Sequence, residues 1–123
     1  MKQVSQVQQD PRLQTKQVTP ELISYIVEKI ANSVAPQRII LFGSRAREES
    51  TQMSDLDLFI VQDSKMSNRE MRRKIEHLLG GRQFGVDLLV RRPEEVERNV
   101  DDGNPFYTRH ILEEGRVLYE RPD

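Results

Sequence analysis

The stretch GSRAREESTQMSDLDLFIV, from Gly43 to Val61, decides how the rest of the chain is interpreted. A Gly-Ser pair follows the apolar run RIILF at residues 38–42, and Asp55 and Asp57 stand two residues apart at the start of a second apolar run. A carboxylate inside a hydrophobic strand is costly unless a cation or a hydrogen-bond donor compensates it. The stretch therefore predicts a strand, a tight turn and a second strand whose two aspartates share a cation.

The composition predicts an ordinary globular domain. A chain of 123 residues, of which 32% are charged and 36% hydrophobic, has the size and balance of one domain with a modest core. The formal net charge of -1 argues against a globally basic nucleic-acid binder, and we interpret the basic run at residues 71–74 as a solvated helix face. Short apolar runs and a polar start predict neither a membrane span nor a signal peptide. The absence of cysteine excludes disulfides and fits a cytoplasmic location.

Local patterns predict a domain of the α/β (α+β) class behind a mobile tail. Residues 1–18 are rich in glutamine and lack an apolar period, so we expect a mobile tail there and one domain over residues 19–123. Thr19 and Pro20 are typical of a helix start, and the spacing from Ser67 to Glu70 is that of a capping box. The predicted helices cover residues 20–34, 44–49, 67–79, 93–99 and 104–113, and the predicted strands cover 38–42, 56–61, 84–90 and 116–119.

Three aspartates are predicted to lie on one face of the sheet. Side chains alternate along a strand, so Asp55 and Asp57 project from one face while Leu56 and Leu58 point to the other. If the third predicted strand lies beside the second, Asp87 joins the same face. Like charges raise one another's pKa, so such a cluster needs a countercharge, and Mg²⁺ accepts oxygen ligands of this kind.

The turn at Gly43 and Ser44 predicts a phosphate-binding element. Glycine lets the backbone approach a ligand closely, and the following short helix would aim free N–H groups and the serine hydroxyl at it. A phosphate-binding turn beside metal-binding carboxylates describes a nucleotide site.

The motif resembles that of a known superfamily. Gly43-Ser44, ten intervening residues and then Asp55-Leu56-Asp57, with Asp87 in a later strand, resemble the DNA polymerase beta superfamily of nucleotidyltransferases. More narrowly, the chain is similar to the minimal nucleotidyltransferases, short stand-alone domains that are often antitoxins paired with HEPN-domain ribonuclease toxins. The resemblance covers about residues 20–120 and implies a small mixed sheet with helices packed on one face.

The resemblance implies catalytic and metal-binding roles for the three acids. Asp55 and Asp57 would coordinate Mg²⁺, with two ions expected, and ATP would be the substrate. Asp87 would help to hold the second ion and would orient or deprotonate the acceptor hydroxyl. An alternative for Asp87 is a structural ion pair with Arg91.

The resemblance also implies a set of nucleotide-binding residues. Gly43 and Ser44 would bind the distal phosphates, and Arg45 and Arg47 are candidates for further phosphate contacts, although exposed helix arginines are often simply solvated. The family commonly has a glycine after the position of Arg47, where this chain has Glu48-Glu49. This difference affects the predicted path of the loop.

Two classes of function follow. As an enzyme, the protein would transfer AMP from ATP to a hydroxyl, such as a tyrosine of a cognate HEPN toxin, within a hetero-oligomer. As a binding module, it would neutralise the toxin by complex formation, with a weak or vestigial nucleotide site. Transfer to a small molecule such as an aminoglycoside is a third possibility, disfavoured because the chain has no room for a separate acceptor-binding domain.

Overall fold

The computed structural model describes residues 10–122, which form a four-stranded sheet covered by helices. The strands are β1 (Arg38–Phe42), β2 (Leu56–Val61), β3 (Val86–Arg91) and β4 (Arg116–Glu120), in the order β3-β2-β1-β4. The helices are α1 (Pro20–Val34), α2 (Asn68–Leu78), α3 (Pro93–Asp101) and a π-helix at Phe106–Glu113, with 3₁₀ turns at Pro11–Leu13 and Gly43–Arg45. β2 pairs in parallel with β3, whereas β1 pairs antiparallel with both β2 and β4, so the sheet is mixed. Between residues 10 and 122, no helix combines the length and the apolar character that crossing a membrane requires.

Most of the predicted elements are found, with small shifts at their ends. β1 and β2 begin and end at the predicted residues, whereas β3 is displaced towards Arg91. α1 also has its predicted bounds, and the Thr19 hydroxyl accepts a hydrogen bond from the amide of Leu22 at 3.1 Å. At the start of α2, Ser67 and Glu70 exchange hydrogen bonds, which confirms the capping box. These signals are local in sequence, which is why they transfer directly to the structure.

Helices cover both faces of the sheet, which corrects the expectation that they pack on one face. On one face, Leu58 shares a buried cluster with Ile26 of α1 and Ile75 of α2. On the other face, Phe59 packs edge to face against Tyr107 of the π-helix, with ring centroids 5.8 Å apart. β1 and β2 are therefore buried on both sides, which explains why their sequences are apolar almost throughout.

Residues 10–18 pack against the domain, which corrects part of the predicted mobile tail. Leu13 and Val18 are 0% and 1% exposed and belong to the core between α1, α2 and the sheet. Two apolar residues separated by four polar ones create no period, so the pattern of the sequence could not reveal their burial. Residues 1–9 of the predicted tail lie outside the described residues.

Replacing Leu13 by alanine should lower the free energy of unfolding by about 2–4 kcal/mol, because the change empties a fully buried site. Urea unfolding followed by circular dichroism measures this loss. Leu112→Ala is the matched control: Leu112 is 44% exposed, so we expect a change below about 1 kcal/mol. Equally small losses in both variants would restore the prediction of a mobile segment at residues 10–18.

The pH dependence of stability tests the same docking. The Asp10 carboxylate accepts hydrogen bonds from the Tyr25 hydroxyl and from Lys29 Nζ, the latter at 2.7 Å. Burial by itself raises the pKa of Asp10, but the hydrogen bonds from Lys29, Tyr25 and the Arg12 amide outweigh burial and lower the pKa to about 2. Since the folded pKa lies below the ordinary value of 3.8, this stabilisation is present above pH 3.8 and is lost as the pH falls towards 2.

We therefore expect Asp10→Asn to lower the free energy of unfolding by about 1 kcal/mol at pH 7, allowing for screening by solvent. The deficit should shrink steadily as the pH falls from about 4 towards 2. Urea unfolding of both proteins over this range provides the measurement. A deficit that does not change with pH would mean that the charge of Asp10 contributes nothing.

Candidate active site

A glycine at the end of β1 makes room for Asp57. Phe42 is paired with Asp57 across β1 and β2, and Gly43 is therefore the next residue beside it. The φ angle of Gly43 is 76°, in the left-handed region that favours glycine. A Cβ at residue 43 would collide with the Asp57 carboxylate. The position therefore requires glycine for two reasons, backbone conformation and space.

A second glycine makes room for Asp55. Gly85 lies immediately before β3, and its carbonyl oxygen accepts a hydrogen bond from the amide of Leu56 at 2.9 Å. A Cβ on Gly85 would overlap the Asp55 carboxylate. Gly85 was not among the site residues predicted from the sequence. The sequence did contain a signal for Gly85, because a glycine within an apolar strand pattern often marks a close approach by another group.

The sheet brings the three predicted acids together. Asp57 is in register with Asp87 on the neighbouring parallel strand, at a strand spacing of about 4.8 Å. Burial raises the pKa of Asp57, and the negative charges of Asp87 and Asp55 raise it further, while the positive charges of Arg45 and Arg47 oppose the shift. Asp55 and Asp87 are exposed to solvent. The structure thus has the shared acidic face that strand alternation predicted.

The donor set suits a hard divalent cation. Carboxylate oxygens are the ligands that Mg²⁺ accepts, and a cation near Asp57 would offset both the burial and the repulsion that raise the pKa of this residue. In the part of the chain that the structure describes, no three acidic or histidine side chains form a complete metal-binding group by themselves. Mg²⁺ is commonly held by one or two carboxylates together with substrate phosphates and water, and Asp55 and Asp57 match that requirement.

Arg45 is buried beneath the site, which corrects its assignment as a phosphate-binding residue. Only 8% of Arg45 is exposed. Its guanidinium donates to four backbone carbonyl oxygens, namely those of Val18 and Gln52 at 3.3 Å, of Asp55 at 3.2 Å, and of Ser54. These bonds attach the segment before α1 and the loop before β2 to a single cation. Arg45 is therefore a structural anchor for the loop that carries Asp55.

The turn after β1 is shorter than predicted. In place of a helix over residues 44–49, there is one 3₁₀ turn at Gly43–Arg45, closed by a hydrogen bond of 3.1 Å from the Ala46 amide to the Gly43 carbonyl. Glu48 has a φ of 60°, which is the left-handed conformation, at the position where the resembling family commonly has glycine. Residue 48 therefore has a left-handed conformation that favours glycine, although it is a glutamate.

Ser44 and Arg47 remain at the rim of the site. Within residues 10–122 the Ser44 hydroxyl has no protein hydrogen-bond partner, and the residue is partly exposed. Arg47 is exposed, donates to the Glu49 carboxylate at 3.0 Å and lies near enough to lower the pKa of Asp57. Both residues are accessible to a ligand beside the acids, and their phosphate-binding roles stay predictions.

Known proteins share this sequence pattern and this fold. Residues 24–123 match the family described as "Polymerase beta, Nucleotidyltransferase". A protein of Methanocaldococcus jannaschii named "putative protein adenylyltransferase" is 37% identical over 86 residues, which span 68% of this chain and 78% of that protein. The family match therefore extends over most of the chain.

One solved structure agrees in fold, and a second is more distant. The crystal structure of a "putative nucleotidyltransferase" from Sulfolobus solfataricus is similar over 82% of this chain and 79% of its own length, with 22% identity and a TM-score of 0.57. A crystal structure described as a toxin-antitoxin with AMP-PNP covers 79% of this chain and 73% of its own, with 18% identity and a TM-score of 0.45. With its α+β fold and mixed four-stranded sheet, the chain belongs to the polymerase beta family and is a nucleotidyltransferase.

Proposed function

We propose that this protein is a Mg²⁺-dependent enzyme that transfers AMP from ATP to a hydroxyl group of another protein. The observation that carries the proposal is the placement of Asp55, Asp57 and Asp87 on one face of the sheet, beside the turn at Gly43. The name of the relative from Methanocaldococcus jannaschii supports a protein as the acceptor. The similarity of the motif to minimal nucleotidyltransferases supports a narrower choice, a tyrosine of a HEPN-domain ribonuclease toxin bound in a hetero-oligomer.

The nucleotide would bind between the acids and the glycine turn. Asp55 and Asp57 would hold two Mg²⁺ ions, with Asp87 contributing to the second site. When bound, Mg²⁺ would neutralise charge on the α-phosphate and on the leaving pyrophosphate. The backbone at Gly43 and the Ser44 hydroxyl would bind the distal phosphates.

Asp87 would prepare the acceptor for attack. As a base within hydrogen-bond reach, it would orient the acceptor hydroxyl and accept its proton. The acceptor oxygen would form a bond to the α-phosphorus while the bond from that phosphorus to the β-phosphate oxygen breaks, so that pyrophosphate leaves. The exposure of Asp87 supports this role, since the acceptor must reach it from solvent.

Asp55→Asn and Asp57→Asn should each reduce AMP transfer to the background level while preserving the fold. Each change removes a charged ligand from an accessible site and deletes no core packing. Asp57→Asn should also raise the melting temperature of the metal-free protein, because it removes a charge whose pKa is raised by burial and by repulsion from Asp87 and Asp55. Intact mass of the acceptor measures transfer, and thermal unfolding with and without Mg²⁺ measures the stability of each variant. Asp101→Asn, at an exposed position on α3, is the control. Near-wild-type transfer by both Asp55→Asn and Asp57→Asn would exclude a catalytic role for these two residues.

Asp87→Asn separates catalysis from nucleotide binding. ATP binding should persist through Asp55, Asp57 and Ser44, whereas transfer should fall by about 10²-fold or more because the base is lost. The measurement combines the ribonuclease activity and the intact mass of a HEPN toxin after incubation with wild type or variant, with ATP and without it.

The same measurement tests the alternative of a binding module. An increase of one AMP in the mass of the toxin, seen with wild type and tracking the loss of ribonuclease activity, supports the enzyme. Inhibition that persists without ATP, without a change in mass and equally with Asp87→Asn would show that complex formation alone neutralises the toxin.

A further inference from the structure

Within residues 10–122, β3 is an edge strand that pairs on its inner side alone. The Leu56 amide donates to the Gly85 carbonyl at 2.9 Å, and the Gln62 amide donates to the Arg91 carbonyl at 3.0 Å. Odd-numbered residues of this segment therefore direct their backbone groups towards β2. In a parallel ladder the N–H and C=O of one residue point to the same side, so the even-numbered residues direct theirs outward.

On the outer side of β3, the backbone groups of Val86, Leu88 and Val90 have no strand partner within residues 10–122. Leu88 and Val90 are 3% and 2% exposed, so an added strand would have to displace the side chains that cover them. Within residues 10–122, the only hydrogen bond found for these backbone groups on the open side goes to the Val90 carbonyl, which accepts from the Arg91 side chain at 2.8 Å. An edge with free N–H and C=O groups is a template for pairing with a further strand.

A basic groove runs along this edge and reaches the active site. The groove has a volume of about 330 Å³ and lies between β3 and α2, with Asp87 at one end. Arg69 and Arg72 of α2 line it. In the described part of the chain Arg69 has no acidic partner, and Arg72 has only an exposed contact of 3.8 Å with Glu76, whose carboxylate already accepts from Arg82 at 2.9 Å. The charge of the groove is therefore available to an acidic ligand.

A strand added to this edge would place one of its side chains beside Asp87. A residue opposite Asp87 in an added strand would share its face of the sheet, at a strand spacing of about 4.8 Å. The two neighbours of that residue in the added strand would point to the opposite face of the sheet. On that face, Leu88 shares a core cluster with Met71 of α2. Arg69 and Arg72 are on the same helix as Met71. A hydroxyl opposite Asp87 would thus be flanked by side chains directed towards the two arginines.

We infer that the open edge of β3 binds the acceptor protein through an extended segment in which a hydroxyl-bearing residue is flanked by acidic residues. Main-chain pairing supplies affinity, and the two arginines select the acidic flanks. The inference rests on the proposed function, because it treats Asp87 as the group that receives the acceptor hydroxyl.

The test uses a fluorescein-labelled peptide of seven residues. The central residue is tyrosine, with a glutamate on each side of it, and valine and threonine fill the two outer positions at each end. A second peptide has lysine in place of both glutamates. Fluorescence anisotropy with the full chain, without ATP, should show at least about 10-fold tighter binding of the glutamate peptide. Arg69→Glu combined with Arg72→Glu should weaken binding of the glutamate peptide about 10-fold and should improve binding of the lysine peptide.

Lys65→Glu combined with Lys74→Glu is the matched control. Both lysines are exposed and lie outside the groove, and the net charge changes by the same amount, so we expect less than about a 2-fold effect on binding at physiological salt. Circular dichroism verifies that both double variants are folded. Equal weakening in the two double variants, or no binding of either peptide to wild type, would overturn the edge site.

Backbone methylation of the peptide tests strand addition itself. Methyl groups on the alternate amides that face β3 should abolish binding, whereas methyl groups on the other alternate set should leave it within about 3-fold. Binding that shows no alternation would also overturn the proposal.

Adding ATP and Mg²⁺ separates this inference from the proposed function. Glutamate-dependent binding without any AMP transfer would uphold the edge site and count against the proposed function. Equal AMP transfer to both peptides, unchanged by the arginine substitutions, would uphold the proposed function and overturn the edge site.

Discussion

The Asp57 carboxylate fills the space that a side chain at residue 43 would need, and the acidic face of the sheet depends on this contact. It requires Phe42 to stand opposite Asp57, which fixes the register of β1 against β2. A shift of one residue would turn Asp57 into the core beneath α1 and α2, and would expose its apolar neighbours in exchange. The left-handed backbone of Gly43 turns the chain away from the strand at the same point. The register of β1 against β2, the turn at Gly43 and the position of Asp57 therefore depend on one another.

A buried cation supports the acids from below. Burial lowers the pKa of Arg45, but the charges of Asp57 and Asp55 act in the opposite direction, and four carbonyl oxygens solvate the guanidinium. One of these carbonyls belongs to Val18, which precedes the residues that match the family. The segment immediately before α1 therefore supports the loop that carries Asp55.

The sequence was sufficient for features that depend on local patterns. The bounds of β1 and β2, the cap of α1 and the common face of Asp55 and Asp57 follow from alternation, branched side chains and capping residues. The place of Asp87 depended on the further assumption that β3 pairs with β2. Arg45 could not be assigned correctly, because its environment consists of carbonyls gathered from two distant segments. Leu13 was missed since a single apolar residue has no period. The helices on the second face were indicated by RIILF at residues 38–42 and LFIV at residues 58–61, which are apolar on both sides of their strands and so require cover on both.

The two halves of the site occupy separate parts of the chain. The hairpin of residues 38–61 contains the glycine turn, Asp55 and Asp57, whereas Asp87 stands on a strand that joins by parallel pairing after α2. The half that we propose to bind the nucleotide is therefore continuous in sequence. In the scheme that we propose, substitutions on α2 and on the outer side of β3 after gene duplication would alter acceptor recognition without changing the hairpin. This division gives such a small domain a route to diverge in target while keeping one chemistry.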